Sequence, residues 1–452
     1  MAEEQGDLEL AAIGPADPLA RTRRMRWWII AVPAVLYFVS YFHRIAPVVV
    51  AQDLMRAFSV SAASLGQLSA IYPYCFAAMA LPGGSLADTL GPRRILSLGA
   101  LTMSAGSILF GLAPSFGAAF AGRLLVGLGA SVVLIGSLRL CAEWFRTDEF
   151  ATVSGSSQAV GSLGALVGTT PMALLVEQIG WRYSFASIGA ATLVLSALCF
   201  LFVRDRPESL GLAPINPGRP VAPLRLRAVL SGIPAVTGNW RSWPPVLSST
   251  GLYAAFVAFV GLWGVPYLTQ VYGMPRVRAS NLLAFAALGL LIGAPLIGWL
   301  SDRVLKRRRW PLIVVIGLYV AVWAALALPG EPVPMEWLGP LCFLLGFASG
   351  AVALVFASIR EVNDPRYVGV AIGFHNLPVF LGFGLLQWLT GVILDARWDG
   401  IVSAGARVYS LDAYRAAFAL CLAVSAGSLV SACLMTETRC RNIWEPAPAR
   451  GI

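Results

Sequence analysis

The sequence predicts an all-α membrane protein with 12 transmembrane helices in two pseudo-symmetric six-helix bundles. Of its 452 residues, 58% are hydrophobic and 12% are charged, whereas a soluble globular protein carries about 25% charged residues. The apolar residues fall into runs of roughly 20, which is the length of a helix that crosses a bilayer. A charged turn at residues 83–94 recurs in a weaker form at 298–309, which indicates a duplicated architecture.

Twelve apolar runs are long enough to span a membrane. The fourth has the weakest pattern because Arg123 and Arg139 lie within or near it. The predicted spans are residues 28–50, 64–86, 95–114, 117–141, 152–176, 182–203, 245–270, 279–300, 310–328, 336–359, 367–394 and 411–435.

One long connection divides six spans from six, because residues 204–243 are polar, basic and rich in proline. This predicts a bundle at 27–203, a central cytoplasmic loop at 204–243 and a second bundle at 244–436. The flanking segments are predicted to be cytoplasmic tails, a disordered one at 1–26 and a short one at 437–452.

The arginines predict the orientation. The net charge of +10 could indicate nucleic-acid binding, but the basic residues lie between the spans, where membrane topology explains them better. With the N-terminus inside, most arginines fall on the cytoplasmic side. We therefore expect a multi-pass protein of the cell (inner) membrane with both termini cytoplasmic, the lipid bilayer as its surroundings and no nucleic-acid partner.

The two halves also match each other in sequence. Residues 143–155 align with 361–373, which brings Gln158 opposite Asn376 in the following helix. Each match is weak, but together with the repeated turn they support a six-plus-six duplication.

The charged turn carries the clearest motif. Twelve helices, a central loop and this turn resemble the major facilitator superfamily over residues 28–436, and Gly84, Asp88, Gly91, Arg93 and Arg94 match the loop signature of that family. The resemblance implies secondary active transport by alternating access, with these residues acting as a conformational latch. The second turn keeps Gly298, Asp302 and Arg303 but has Leu305 where a later glycine is expected. Asp302 and Arg303 complete the predicted latch, and a plain topogenic loop is the alternative.

A narrower resemblance is to the branch with anion:cation symporters and phagosomal nutrient transporters. It rests on Tyr41-Phe-His-Arg44, on residues 81–88 and on Trp144-Phe145. The sugar-acid symporters have an aspartate before the first-helix arginine and a glutamate in the fourth helix. This chain has His43 at the first place and no acid at 127–132, so proton coupling by those carboxylates is not carried over.

Arg44 is the strongest candidate for solute binding. A charge within a span costs at least ~2.5 kcal/mol unless it meets a wet cavity or a partner, and arginine can bind a carboxylate with two hydrogen bonds. Snorkelling to the surface or pairing within the bundle is the alternative. Tyr37 and Tyr41 lead to Arg44 and share a helix face, because they are four residues apart.

His43 and His375 are the only histidines, and both fall inside predicted spans. Either could carry a coupled proton, and a neutral interior histidine is the alternative. Asn376 and Gln158 lie at equivalent depth in the two halves, as a central site between two bundles requires.

Other aromatic and amide residues could line such a site, and many of them are expected to be packing residues instead. Gln67 and Tyr267 are included in the predicted binding set. The wider group is Tyr37, Tyr41, Gln67, Tyr72, Tyr74, Tyr253, Trp263, Tyr267 and Gln387.

We therefore expect a monomeric transporter that takes up a small carboxylate-bearing solute, such as an organic acid or amino acid, with a proton. Efflux of drugs or metabolites and a non-transporting membrane sensor or assembly subunit are the alternatives. An enzyme is not expected, because the sequence has no Ser-His-Asp set, metal-ligand cluster or phosphate loop. No cofactor and no metal are predicted.

Overall fold

The computed structural model describes residues 19–80, 82–146, 149–215, 226–403 and 405–444. Helix dominates these ranges, so the all-α prediction is confirmed. For Gly84, Asp88 and Gln158 only the backbone is described, and each lies in a helix.

Eight helices form the first half. They are α1 (Ala20–Ile45), α2 (Pro47–Phe58), α3 (Ala62–Met79), α4 (Pro82–Leu90), α5 (Pro92–Gly111), α6 (Phe116–Trp144), α7 (Phe150–Val167) and α8 (Thr170–Phe202). The first predicted span is longer than expected, because α2 continues α1 as far as Phe58. The fourth is one unbroken helix despite Arg123 and Arg139. Gly180, at φ +74°, divides α8 between the fifth and sixth spans.

The second half contains eight helices with two π-helical segments. They are α10 (Trp243–Ala258), α11 (Gly264–Tyr272), α12 (Arg276–Trp299), α13 (Arg309–Ala327), α14 (Met335–Ser349), α15 (Val352–Val362), α16 (Val368–Ala396) and α17 (Leu411–Leu434). The π segment Phe259–Trp263 connects α10 to α11, and the π segment Leu300–Leu305 extends α12. Short 3-10 turns lie at Pro207–Leu210, Trp240–Ser242 and Pro365–Tyr367.

Two features were not expected from the sequence. The central segment contains a helix, α9 (Leu226–Thr237). Between α16 and α17, the strands β1 (Val402–Ser403) and β2 (Ala406–Arg407) pair antiparallel.

Helices cover all 12 predicted spans. Within the part of the chain that the structure describes, 10 helices are long and apolar enough to cross a membrane by length and composition. The second and fifth predicted spans are not among them; α3 and α4 lie in the second, and α7 and the start of α8 in the fifth.

Successive spans alternate in direction, which gives the molecule two ends. We call the end where α1 begins and α17 finishes the terminal face, and the opposite end the distal face. The turns that follow α2, α5, α11, α13 and α16 lie at the distal face.

The two halves meet most closely where α3 packs antiparallel to α16, an interface that we call the seam. Gly66 and Gly391 allow this approach, because a Cβ on Gly66 would lie 2.6 Å from the carbonyl oxygen of Gln387 and one on Gly391 would overlap the carbonyl of Ala62. The seam extends to the last turn of α3 and the middle of α16, where the rings of Phe76 and Phe380 are 5.1 Å apart.

Candidate functional site

Arg44 lies in the middle of the molecule and joins its two halves. Its side chain is buried, with 6% of the residue exposed. Nη1 donates a hydrogen bond of 3.1 Å to the hydroxyl of Tyr253, which lies on α10 of the other half. The guanidinium carbon lies 4.3 Å from the ring centroid of Tyr41 on its own helix.

The charge of Arg44 has no acidic partner. Among the described residues, no carboxylate lies within ion-pair distance of its guanidinium, and its buried Nε has no hydrogen-bond partner. A buried unpaired charge costs several kcal/mol, roughly, unless a partner compensates it. The centre of the molecule therefore presents a cation with an unused donor.

Aromatic rings from both halves surround this cation. The guanidinium carbon is 5.8 Å from the ring of Tyr72, 5.4 Å from Phe76 and 5.8 Å from Phe380. The hydroxyl of Tyr72 donates to the carbonyl of Ser40 at 2.8 Å, which fixes its ring. Rigid rings exclude water from the guanidinium and strengthen its attraction for an anion.

Tyr37 extends this group by one helical turn, as the sequence predicted for a shared face. Its hydroxyl donates to that of Tyr41 at 3.4 Å, and the two rings are 5.0 Å apart. Gly161 of α7 packs directly on both rings. Gln158 belongs to the same helix, but its side chain lies outside the described residues.

His43 points away from this group. It is fully buried, its ring packs 5.7 Å from Phe42 and 6.2 Å from Phe185, and neither ring nitrogen has a hydrogen-bond partner. Its backbone carbonyl accepts a 2.6 Å hydrogen bond from Arg123, a second buried arginine of this half.

His375 and Asn376 form a separate polar cluster in the second half. His375 is 1% exposed, and its Nε2 makes a 2.7 Å hydrogen bond with Ser249 of α10. Its Nδ1 lies 3.2 Å from the side-chain oxygen of Asn376. The ring of Phe356 packs on it at 4.5 Å.

Two members of the predicted binding set are not brought to Arg44. Gln67 is exposed on the same face of α3 as Ala78. Tyr267 is 1% exposed, in an aromatic cluster with Tyr272, Tyr414 and Phe418. Its hydroxyl shares a 3.2 Å hydrogen bond with that of Tyr272.

The first charged turn contacts the end of α8 and the start of the central segment. Gly91 turns the chain at φ +78°. The backbone N–H of Arg93 donates to Asp205 at 2.7 Å, and its Nε donates to the carbonyl of Phe200 at 2.7 Å. Arg94 is exposed, and the side chain of Asp88 lies outside the described residues.

The second turn pairs differently from the expected Asp302–Arg303 arrangement. Asp302 bonds Arg308, whose guanidinium also bonds Glu361 at 2.8 Å, while Arg303 is exposed. Both partners belong to the second half. The predicted latch role of these residues stays a prediction.

At the distal face, hydrogen bonds and an ion pair join the two halves, and we call these contacts ties. The sequence analysis did not predict them. Asp395, at the end of α16, accepts hydrogen bonds from the backbone N–H groups of Ala62 at 3.1 Å and Ala63 at 2.7 Å, at the start of α3. The hydroxyl of Tyr409 and the guanidinium of Arg407 also donate to it. An acidic residue just past a predicted span was the signal available for Asp395.

Three further ties cross the halves at this face. Asp53 pairs with Arg276 at 2.7 Å. Gln52 donates to Thr269 at 2.6 Å, and Thr170 donates to Asn281 at 2.6 Å. The halves are therefore joined at the distal face and in the middle.

The arrangement around Arg44 can bind an anion between two rigid halves. It offers the Nε of Arg44, which has no described hydrogen-bond partner, and the hydroxyl of Tyr253. Within the described ranges, no group of three or more His, Cys, Asp or Glu residues is placed to hold a metal ion.

Comparison with known proteins gives the same architecture. The sequence pattern of the Major Facilitator Superfamily matches residues 34–386 and 265–451. The chain is 25% identical to the membrane sensor protein UhpC of Salmonella typhimurium, over 84% of this chain and 88% of that protein. It is also 25% identical to the probable sulfoacetate transporter SauU of Cupriavidus necator, over 64% and 66%. A solved structure of a bacterial homologue of the human lysosomal transporter Spinster superposes with a TM-score of 0.71 at 18% identity, covering 94% of this chain and 99% of that one.

Proposed function

The chain belongs to the Major Facilitator Superfamily, and on that premise we propose that it takes up a small carboxylate-bearing solute, such as an organic acid or amino acid, with a proton. Secondary transport of a small solute is the activity of the family, and the chain is not an enzyme. The anionic character of the solute is the new part of the proposal. The observation that carries it is Arg44, a buried cation between the halves that has no carboxylate partner among the described residues.

Two arguments support an anionic group at Arg44. A carboxylate can accept two hydrogen bonds from one guanidinium, which would use the free Nε together with Nη2 on the same edge. An anion there would also be within reach of both halves, since Tyr253 already contacts Arg44. The name of the relative SauU specifies sulfoacetate, a small solute with a carboxylate and a sulfonate.

The proton-coupling part of the proposal concerns the two histidines. His375 makes hydrogen bonds with Ser249 and Asn376 that could accommodate a change of protonation. His43 lies among aromatic rings with no polar partner, so we favour His375 over His43 as the proton carrier.

We also propose an inner-membrane location with cytoplasmic termini and a monomeric protein. The distal face would then be periplasmic, and its cross-half ties would correspond to a state closed to the outside. The arginine-rich connections at the terminal face support this orientation.

A membrane sensor is the second candidate, because the relative UhpC is named as one. The two candidates share a binding site and differ in flux. A sensor would bind its solute at Arg44 without moving it across the bilayer.

The test begins with ligand-induced thermal stabilisation of the purified full chain by a panel of organic acids, sulfoacetate, amino acids, dipeptides and lipophilic cations. At 100 times its dissociation constant, a ligand adds about 2.7 kcal/mol of stability. We expect a carboxylate solute to stabilise the wild type and Arg182→Ala but not Arg44→Ala. Arg182 is a suitable control because it donates to the carbonyl of Ala113 at the distal face, away from Arg44.

Flux then separates the candidates. Proteoliposomes should accumulate the stabilising solute when a proton gradient is imposed, and Arg44→Ala should abolish that accumulation. Binding without flux would support the sensor. Stabilisation by lipophilic cations alone, unchanged by Arg44→Ala, would overturn the anion site and favour efflux.

A further inference from the structure

The contact between Arg44 and Tyr253 suggests a role for the second half in recognition. Tyr253 lies on α10, and its hydroxyl accepts a 3.1 Å hydrogen bond from the guanidinium of Arg44. Both side chains are in the middle of the molecule, and each belongs to a different half. This is the shortest described polar contact between the halves at the level of the aromatic rings.

We propose, resting on the proposed function, that Tyr253 is the residue with which the second half recognises the anionic group of the solute. In the empty site its hydroxyl oxygen accepts from Arg44. When the anion binds Arg44, the same hydroxyl donates a hydrogen bond to an anion oxygen. The anion is then held by one side chain from each half.

Three features of the site support this exchange. A hydroxyl is both a donor and an acceptor, so Tyr253 can serve the guanidinium in the empty state and the anion in the loaded state. The described structure assigns no acceptor to the hydroxyl proton of Tyr253, whereas the hydroxyl of Tyr72 is committed to the carbonyl of Ser40. Tyr253 is also held in place, because its ring packs edge-on to Phe383 at 6.5 Å and beside Phe256 at 6.2 Å.

The proposal explains how one bound anion can hold both halves. With Arg44 alone, only the first half would make hydrogen bonds to the anion, and the second half would make none. With Tyr253 as a second donor, closure of the halves around the solute gains a hydrogen bond to a charged group.

The experiment compares Tyr253→Phe with the wild type, using sulfoacetate and D-gluconate as probes in the thermal-stabilisation assay and in direct equilibrium binding. Loss of a hydrogen bond to a charged group predicts affinity about 10-fold weaker or more. Tyr253→His, which retains a polar group on a ring, should recover part of the affinity.

Tyr319→Phe is the matched control. Its hydroxyl donates to the carbonyl of Leu252, next to Tyr253, and Tyr319 is fully buried whereas Tyr253 is half-buried. The control removes a hydroxyl of the same kind, from a more buried place in the same half, without touching Arg44. Its affinity for both probes should match the wild type.

The proposal and its alternative predict opposite changes in the anion affinity of Tyr253→Phe. If Tyr253 only restrains Arg44 in the empty site, Tyr253→Phe would free the guanidinium and tighten binding. Tighter or unchanged binding would therefore overturn the proposal while leaving the Arg44 site intact. If neither probe nor any other anion binds the wild type, the proposed function fails and this inference fails with it. Unfolding of Tyr253→Phe would be seen in its melting curve without anion, and Tyr253→His then decides.

Discussion

The distal and terminal faces of the molecule use charged residues in opposite ways. At the distal face, Asp395 and the Asp53–Arg276 pair join the two halves. At the terminal face, the described pairs stay on one side of the boundary between the halves, as Arg26 does with Glu149 and Arg308 with Glu361. The described charged ties across the halves therefore lie at the distal face, which also has pairs within one half.

In a protein that alternates between states, ion pairs within one half and ion pairs across the halves have different roles. A pair within one half persists when the halves rotate, so it can be strong and contribute to stability. A tie across the halves must break in every cycle, so its strength sets the balance between states. Four substitutions test this distinction.

Arg308→Ala should have the largest effect, and that effect should be on stability. Arg308 is 8% exposed at its side chain and bonds Asp302, Glu361 and Ser301, so its loss leaves Glu361 poorly compensated at a cost of about 2–3 kcal/mol. The melting temperature of the purified protein should fall markedly. Arg307→Ala, an exposed neighbour, should leave it within error of the wild type.

Asp395→Asn should have the next largest effect, on the balance between states. It removes the charge that receives two backbone N–H groups of α3, and hydrogen bonds to charged groups contribute about 1.5–3 kcal/mol each. We expect a distal-open population at least about 10-fold larger. Spin labels at Leu112 and Leu328, which are exposed at the distal ends of the two halves, would report a longer distance by pulsed EPR.

Cys433 and Cys440 are accessible and would also react with the spin label, so both must be replaced in the labelled protein. The other five cysteines are buried and can stay. Asp412→Asn is the control, since Asp412 pairs with Arg415 inside the second half at the same face. An equal distance change in both variants would contradict the distinction between cross-half and within-half ties.

Asp53→Asn should shift the same distance distribution less. The Asp53–Arg276 pair is single and partly exposed, with 16% and 23% of the side chains accessible, so its contribution is of order 1 kcal/mol or below. The charge-exchanged double variant Asp53→Arg with Arg276→Asp should restore the wild-type distribution. If it does not, the pair is not an independent tie.

Glu149→Gln should have the smallest effect. Hydrogen bonds from Arg26 hold the pKa of Glu149 below its usual range, because the guanidinium stabilises the ionised carboxylate. The pair's contribution is complete above the ordinary carboxyl pKa of about 4.3 and is lost as pH falls through the lowered pKa. The melting temperature should differ from the wild type by a degree or two at pH 7 and converge with it in acid.

Much of the fold was predictable because apolar runs and glycine-rich turns are local signals. The helical spans follow from the apolar runs, and the shared face of Tyr37, Tyr41 and Arg44 follows from helical spacing. The helix α9 and the β1–β2 hairpin were not predicted, because short segments carry weak patterns. Asp395, Tyr253 and Phe380 contact residues more than 200 positions away, and a single sequence has no signal for such pairs. Gln67 is exposed in the structure, and its predicted role in binding stays a prediction.

The close approach at Gly391 also offers a way to hold the protein in one shape. A methyl group at this position would overlap the carbonyl oxygen of Ala62 on the facing helix, and that atom belongs to the backbone and cannot rotate aside. Gly391→Ala would force α3 and α16 apart at the distal end of the seam, without touching Arg44 or its rings. Such a protein would be a reagent for crystallography and for antibody selection against the distal-open shape.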